Sequence, residues 1–163
     1  MQVFRLVESD AERFRALRLK ALQECPDAFT SSYAHDHIQP LDWYREMLRE
    51  QAIFAYGDSV QLLAMAGLHV AKRQEKIVHK GLLWGVYADA SLRGKGVMRM
   101  LLEQLMAHAQ ASGLELLQLG VGTYNTGAIK LYQSLGFVEY GVEKHALKMG
   151  ERYIDEILMV REF

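Results

Sequence analysis

Disulfide chemistry is the first thing this sequence excludes: Cys25 is the only cysteine among 163 residues, so no intramolecular bridge can form. Proline is equally scarce, and Pro26 and Pro40 bracket one stretch that reads as a loop. Spanning a bilayer takes roughly 20 apolar residues; the longest apolar run, Leu82 to Ala88, is only a strand's length. The opening MQVFRLVESD carries charges where a secretion signal needs an apolar core. An excess of one charge is missing too. Nineteen basic residues against 20 acidic ones leave a net charge of -1, so no overall field draws the chain to nucleic acid or membrane. There is no internal repeat, low-complexity segment or linker. Together these absences predict a soluble, cytoplasmic protein of one domain, residues 1–163, large enough to bury a core without staples.

What is present is patterned. Val3 to Val7 reads as a short strand, and Ser9 is placed to cap a helix running to about Glu24, with Phe14, Leu17 and Ala21 on one face. After the Pro26–Pro40 loop, Trp43/Met47 and Tyr44/Leu48 are i,i+4 pairs of a second, shorter helix. The period then changes: Ile53 to Tyr56, a Gly57-Asp58 turn and Leu62 to Val70 read as a hairpin, and Lys80 to Ala88 as another strand. Val97 to Ser112 is a helix, Leu116 to Val121 a strand, Thr126 to Leu135 a helix stopped by Gly136. Phe137 to Glu143 and Tyr153 to Val160 complete the strands. The order β-α-α-β-β-β-α-β-α-β-β predicts an α/β fold with a mixed sheet and helices on both faces.

The strongest chemical signal is LRGKGVMRMLLEQL, from Leu92 to Leu105, where a strand gives way to glycines and then at once to an amphipathic helix. The first N–H groups of a helix lack internal partners, and the helix dipole adds partial positive charge there. Gly94 and Gly96 let a phosphate approach the backbone, and Arg93 and Lys95 add charge beside it. The same glycines could also serve only as a tight turn before a core helix. Two rival phosphate motifs fail: Gly122 to Gly127 has the P-loop glycine spacing but is followed by Ala128 rather than Lys, and a dinucleotide fingerprint from Gly120 would need glycine at Asn125. A second constellation is NTGAIKLYQSLGF, from Asn125 to Phe137. There Asn125 can cap a helix on which Ala128 and Tyr132 share a face. Taken alone, Tyr132 reads as a packed side chain with a hydrogen-bonded hydroxyl.

Together the two segments resemble the motifs of the GNAT family of N-acetyltransferases. The pattern Q/R-x-x-G-x-G/A is approached by Arg93, Gly94, Lys95, Gly96 and Val97, and N-x-x-A-x-x-L-Y-x-x-x-G-F is matched from Asn125 to Phe137. The resemblance covers nearly the whole chain. AFTSSY near Phe29 and RYIDEILM from Arg152 resemble a bacterial subgroup of unsettled substrate. It implies a central, mostly antiparallel sheet of six to seven strands, acetyl-CoA as cosubstrate and no metal. It also implies that backbone N–H groups from Arg93 to Met98 hold the pyrophosphate. Val86, Tyr87 and Ala88 would pair with the pantetheine arm as an added strand, and an N–H there would polarise the thioester oxygen. Asn125 would contact pantetheine, beside the small Ala128, and Tyr132 would protonate the departing thiolate. A homodimer is suggested by family habit and by an apolar C-terminal strand in need of a partner.

The sequence departs from this pattern at three places. Met98 stands where the family has glycine or alanine, so its side chain must turn away from the pyrophosphate; Ala88 and Ala90 replace a β-branched residue and a proline. Met98 motivates a second reading, a non-catalytic acyl-CoA sensor on the same fold, and a different phosphate-bearing ligand is a third. The acceptor, a primary amine of a small molecule or a peptide N-terminus, would meet Phe29, Ser32, Trp84 and Glu156, with Tyr33, Trp43 and Tyr87 as further candidates. Strand alternation allows only one of Asp155 and Glu156 to face inward. His35 and His37 flank Asp36, but two loop histidines without a third ligand make no metal site.

Overall fold

The computed structural model describes residues 1–163. Strands β1 (Gln2–Arg5), β2 (Ala52–Gly57), β3 (Leu62–Val70), β4 (Lys80–Ala88), β5 (Leu116–Gly122), β6 (Val138–Met149) and β7 (Arg152–Glu162) form one sheet in the order β1-β2-β3-β4-β5-β7-β6. Every neighbouring pair is antiparallel except β4 and β5. The helices are α1 (Ala11–Glu24), α2 (Tyr33–Asp36), α3 (Leu41–Glu50), α4 (Val97–Ala111) and α5 (Thr126–Ser134). The mixed, mostly antiparallel α/β sheet of the sequence reading is therefore the fold observed.

Period-two alternation divides the core. On β3, Ala64, Ala66 and Leu68 face α4, whose Leu101, Leu105 and Ala109 recur at helical spacing; Met65 faces α1 and α3, meeting Phe14, Leu17, Tyr44 and Leu48, and Leu62 joins that side because the register shifts at Tyr56/Gly57. No helix is long and apolar enough to cross a membrane.

Four details differ from the sequence reading. Ser9 does not cap the first helix. Residues Glu8–Asp10 form a 3-10 turn, and the Asp10 carboxylate, one residue later, accepts from the Val7 N–H at 2.9 Å and pairs with Arg13. The Pro26–Pro40 loop holds its own short elements, a turn at Pro26–Ala28 and helix α2, capped by Ser32. The strand ending at Glu143 continues to Met149 after a register shift between Glu143 and Leu147, because the β7 partner runs on opposite it. Finally, the C-terminal strand β7 is not at an edge: it lies between β5 and β6, so its apolar residues already have partners.

One irregularity shapes the rest. Met65 opposes Tyr87 and Gly67 opposes Trp84, so two β4 residues, Gly85 and Val86, face the single Ala66. Gly85 takes φ +64°, the left-handed conformation that a bulge of this kind requires. The bulge twists the far half of β4 away from β5. Their ladder consists of Lys80, Gly81 and Leu82 against Leu116, Leu117 and Gln118, and nothing beyond.

Candidate active site

Where β4 and β5 part, the sheet opens. A cavity of about 430 Å³ lies between Leu82–Ala88 on one strand and Gln118–Gly122 on the other. It shares Val86, Met98, Asn125 and Ala128 with a second cavity, of about 820 Å³, that reaches the start of α4. The Asp89 N–H donates to the Leu63 carbonyl at 2.8 Å. Alternation along the ladder therefore leaves Tyr87's backbone groups to β3 and turns those of Ala88 toward the open gap. That removes the Tyr87 amide from the set expected to meet a ligand. Tyr87 still lines both cavities, its hydroxyl donating at 2.6 Å to Glu24 in the wall of the larger one.

The glycine turn is built as an anion cradle. Gly94 and Gly96 sit at φ +72° and +73°, and a Cβ added at either would meet no atom within 4 Å. The N–H groups of Gly94, Gly96, Val97, Met98 and Arg99 have no backbone partner, whereas those of Arg93 and Lys95 donate to Ala90 and Leu92. The expected run of donors from Arg93 to Met98 is thus corrected: two of its members close the turn, and Arg99 extends it. The Arg93 side chain lines the cavity wall and Lys95 does not. Asp89 holds the turn in place, accepting from the Ser91 N–H at 2.8 Å and pairing with Lys20 of α1. These contacts, Lys20 foremost, keep its carboxyl well below the usual carboxylate range. Met98 packs partly against the core and lines both cavities, and its N–H remains free.

A substitution tests the cradle directly. Gly96→Val should raise the dissociation constant for a diphosphate-bearing ligand at least about tenfold, because a β-branched residue that leaves φ +73° carries its N–H out of the cradle, while holding that φ would cost about 1–2 kcal/mol of stability. Calorimetry with such a ligand beside a thermal melt separates the two effects.

Between the cavities stands α5. Asn125 caps it, its Oδ1 accepting from the Ala128 N–H at 3.2 Å. Tyr132 is 6% exposed, lines the smaller cavity and packs edge-on against Phe137 with ring centroids 5.8 Å apart. Burial pushes its phenol above the ordinary tyrosine range, so the hydroxyl keeps its proton.

On the opposite side, Phe29, Trp84 and Glu156 line the smaller cavity as the sequence reading expected. Ser32 does not; its hydroxyl caps α2 by accepting from the His35 N–H, and Ser31 occupies the cavity wall instead. Tyr33 stacks on His37, and Trp43 packs beside Tyr44 away from the gap. Asp155 turns outward to Lys144 and the His145 N–H, leaving Glu156 as the inward member of the pair. Gly120 makes room for it: a Cβ there would lie 2.5 Å from Glu156 Oε2.

Glu156 is pushed upward in pKa by burial and by Glu143, directly opposite on β6. A carboxyl raised above its unfolded value destabilises the fold once ionised, and this cost disappears as pH falls through the raised value. Glu156→Gln should therefore raise the melting temperature at neutral and alkaline pH, with the difference closing in acid. A thermal melt series across pH checks the sign.

The Acetyltransferase (GNAT) family profile matches residues 18–137. The chain belongs to this family. It is 31% identical over 83 residues to the [ribosomal protein bS18]-alanine N-acetyltransferase of Salmonella typhimurium, a match covering 51% of this chain and 56% of that protein. The chain spans about half or less of the length of the curated relatives it matches. A GNAT acetyltransferase from Streptococcus pneumoniae superposes with a TM-score of 0.85 at 24% identity, over 99% of this chain and 98% of that one. A putative acetyltransferase from Salmonella typhimurium, solved with its cofactor acetyl-CoA, gives 0.80 at 19% identity, over 99% and 93%.

Within this GNAT framework the structure brings forward a residue that the sequence reading passed over. Arg18 is 4% exposed and lies in the wall of the smaller cavity. Its Nε donates to Asp36 Oδ2 at 2.6 Å and its Nη2 to Ser31 Oγ at 3.1 Å. Asp36, fully buried, is the partner hidden between the two histidines: His35 Nδ1 lies 2.9 Å from its other oxygen, and the Tyr44 hydroxyl donates to its carbonyl. Arg18 Nη1 and Trp84 Nε1 are both buried without a partner. Orphan donors of this kind cost about 1–3 kcal/mol each. A signal existed, because Arg18 falls four residues from Phe14 and from Leu22, inside the apolar stripe of α1.

Proposed function

We propose that this chain is an N-acetyltransferase that moves an acetyl group from acetyl-CoA to a primary amine of a small molecule or peptide N-terminus, within a ternary complex. The observation that carries the reading is the continuity of the unpartnered amides at Gly94 and Gly96–Arg99 with the parted strands where Tyr132 lies. The diphosphate of the coenzyme rests on those amides, where the helix dipole and Arg93 favour negative charge. Its pantetheine arm runs along Val86 and Ala88 past Asn125 and Ala128, which places the thioester in the gap.

The neutral amine attacks the thioester carbonyl carbon. The new N–C bond forms as the C=O electrons move to oxygen, where a β4 amide meets the developing charge. On collapse the C–S bond breaks and its electron pair leaves on sulfur, which takes the Tyr132 proton; the attacking nitrogen loses its own proton to solvent or to a base. Glu156 attracts the incoming amine. Positioning two substrates together supplies much of the acceleration. No enzyme-bound acyl group forms, so Cys25 has no part.

The sensor reading is not favoured, since Met98 packs partly against the core and leaves its N–H free for the diphosphate. The protein acts in the cytoplasm. A homodimer would use a surface other than β7, which is already paired on both sides. Calorimetry with acetyl-CoA, followed by thiol release across a panel of amines, tests the assignment: binding and turnover are the expected results, and absence of affinity for any coenzyme A derivative overturns it.

A further inference from the structure

We propose that Arg18 and Trp84 form a carboxylate receptor in the acceptor half of the gap, so that the amine acetylated is an amino-acid-like small molecule with a free carboxylate. The inference rests on the acetyl-transfer reading above and narrows its substrate class.

The argument begins with two donors that nothing in the protein answers. Arg18 uses Nε on Asp36 and Nη2 on Ser31, which leaves both N–H bonds of Nη1 free. Trp84 Nε1 is likewise buried and unpartnered. The two belong together, with the Arg18 guanidinium carbon over the Trp84 ring, 5.1 Å from its centroid. Both residues line the same cavity. Gly67 is why the indole can lie there, because any Cβ at that position would collide with the Trp84 ring. Buried donors are almost always satisfied, so a pair left open in a cavity wall marks the place of a ligand acceptor atom.

The chemistry of that acceptor follows from the donors. A guanidinium edge stacked on a ring that carries a second open N–H suits a planar group with two oxygens, the geometry of a carboxylate. Asp36 neutralises Arg18 without closing its outer edge, and holds the fork in one orientation. Elsewhere in the cavity wall, Glu156 faces Glu143 across the β6–β7 ladder, which favours a cation there. The cavity therefore offers a cationic donor edge and a separate anionic site, the complement of an amine that also carries a carboxylate. A peptide N-terminus presents only one of the two. The carboxylate takes no part in bond changes: the product is the N-acetyl acid, with the coenzyme released as its thiol.

The test compares matched amines on the wild-type protein. Acetyl-CoA binding is first established by calorimetry, whose failure would sink the acetyl-transfer reading itself. Thiol release is then measured with free amino acids, the corresponding carboxamides and the decarboxylated amines, and tryptophan fluorescence is titrated with the same compounds. The expected result is a kcat/KM for the free acids at least about tenfold above both analogues, together with a fluorescence change for the acids alone. Trp84→Phe, which removes the N–H and leaves Asp36 paired, should reduce that preference, and Arg18→Lys should reduce it further. Equal handling of acids and amides would overturn the proposal, since water would then be what answers these donors. Turnover confined to peptide N-termini, or absent with every free acid despite acetyl-CoA binding, would overturn it as well.

Discussion

Tyr132→Phe is expected to lower kcat about 100-fold while leaving acetyl-CoA affinity and thermal stability intact. The argument runs from burial. A phenol in the apolar wall of the gap keeps its proton at every working pH, as a donor to a thiolate must. A free thiol titrates near 8.5, so complete transfer from a raised phenol runs uphill, and the contribution falls at the low end of the roughly 10²–10⁴-fold range of general acids. Phenylalanine keeps the edge-on contact with Phe137 and the position beside Ala128. For the same reason the pH–rate profile should show no alkaline loss attributable to Tyr132 below about pH 10. Single-turnover kinetics with a saturating amine is the measurement, and an unchanged rate would remove Tyr132 from the chemistry.

The largest stability effect should come from Asp36→Ala. Removing a buried carboxylate leaves the Arg18 guanidinium charged, enclosed and without its main partner, a loss of about 3–5 kcal/mol. Against a typical total of about 5–15 kcal/mol this approaches unfolding. The diagnostic result is in the double variant. Arg18→Met with Asp36→Leu removes both charges, and most of the lost stability should return, because apolar residues of similar volume replace such pairs at little cost. Denaturant titration of the single and double variants reads the coupling. A double variant as weak as Asp36→Ala would mean that packing around Tyr44, rather than charge, is what Asp36 supplies.

Much of this molecule was legible where the information is local. Helix α4 begins at Val97 as its spacing predicts, since the glycine turn and the i,i+4 leucines lie within one short stretch. Asn125 caps α5 for an equally local reason. What depended on distant partners was not legible. The continuation of β6 past Glu143 has no apolar alternation to announce it, because an edge strand exposes most of its residues. The insertion of β7 between β5 and β6 is a matter of topology, and strand order along the chain is silent on it. Arg18 and Asp36 are joined across the loop that precedes α3, so neither residue's neighbours reveal the pair. Ser31 and Ser32 differ by a single residue, and only the local backbone decides which one caps and which one faces the cavity.

The bulge at Gly85 has a mechanical corollary. A seven-stranded sheet would ordinarily act as one stiff plate, yet here the β1–β4 portion and the β5–β7 portion share a bridge only three residues wide. In the proposed complex the amide-bearing arm of the coenzyme lies in the slot beside that bridge and supplies the rungs the polypeptide lacks. The cosubstrate would then serve for a time as part of the scaffold, tightening the two plates around the thioester on arrival and loosening them when the thiol departs.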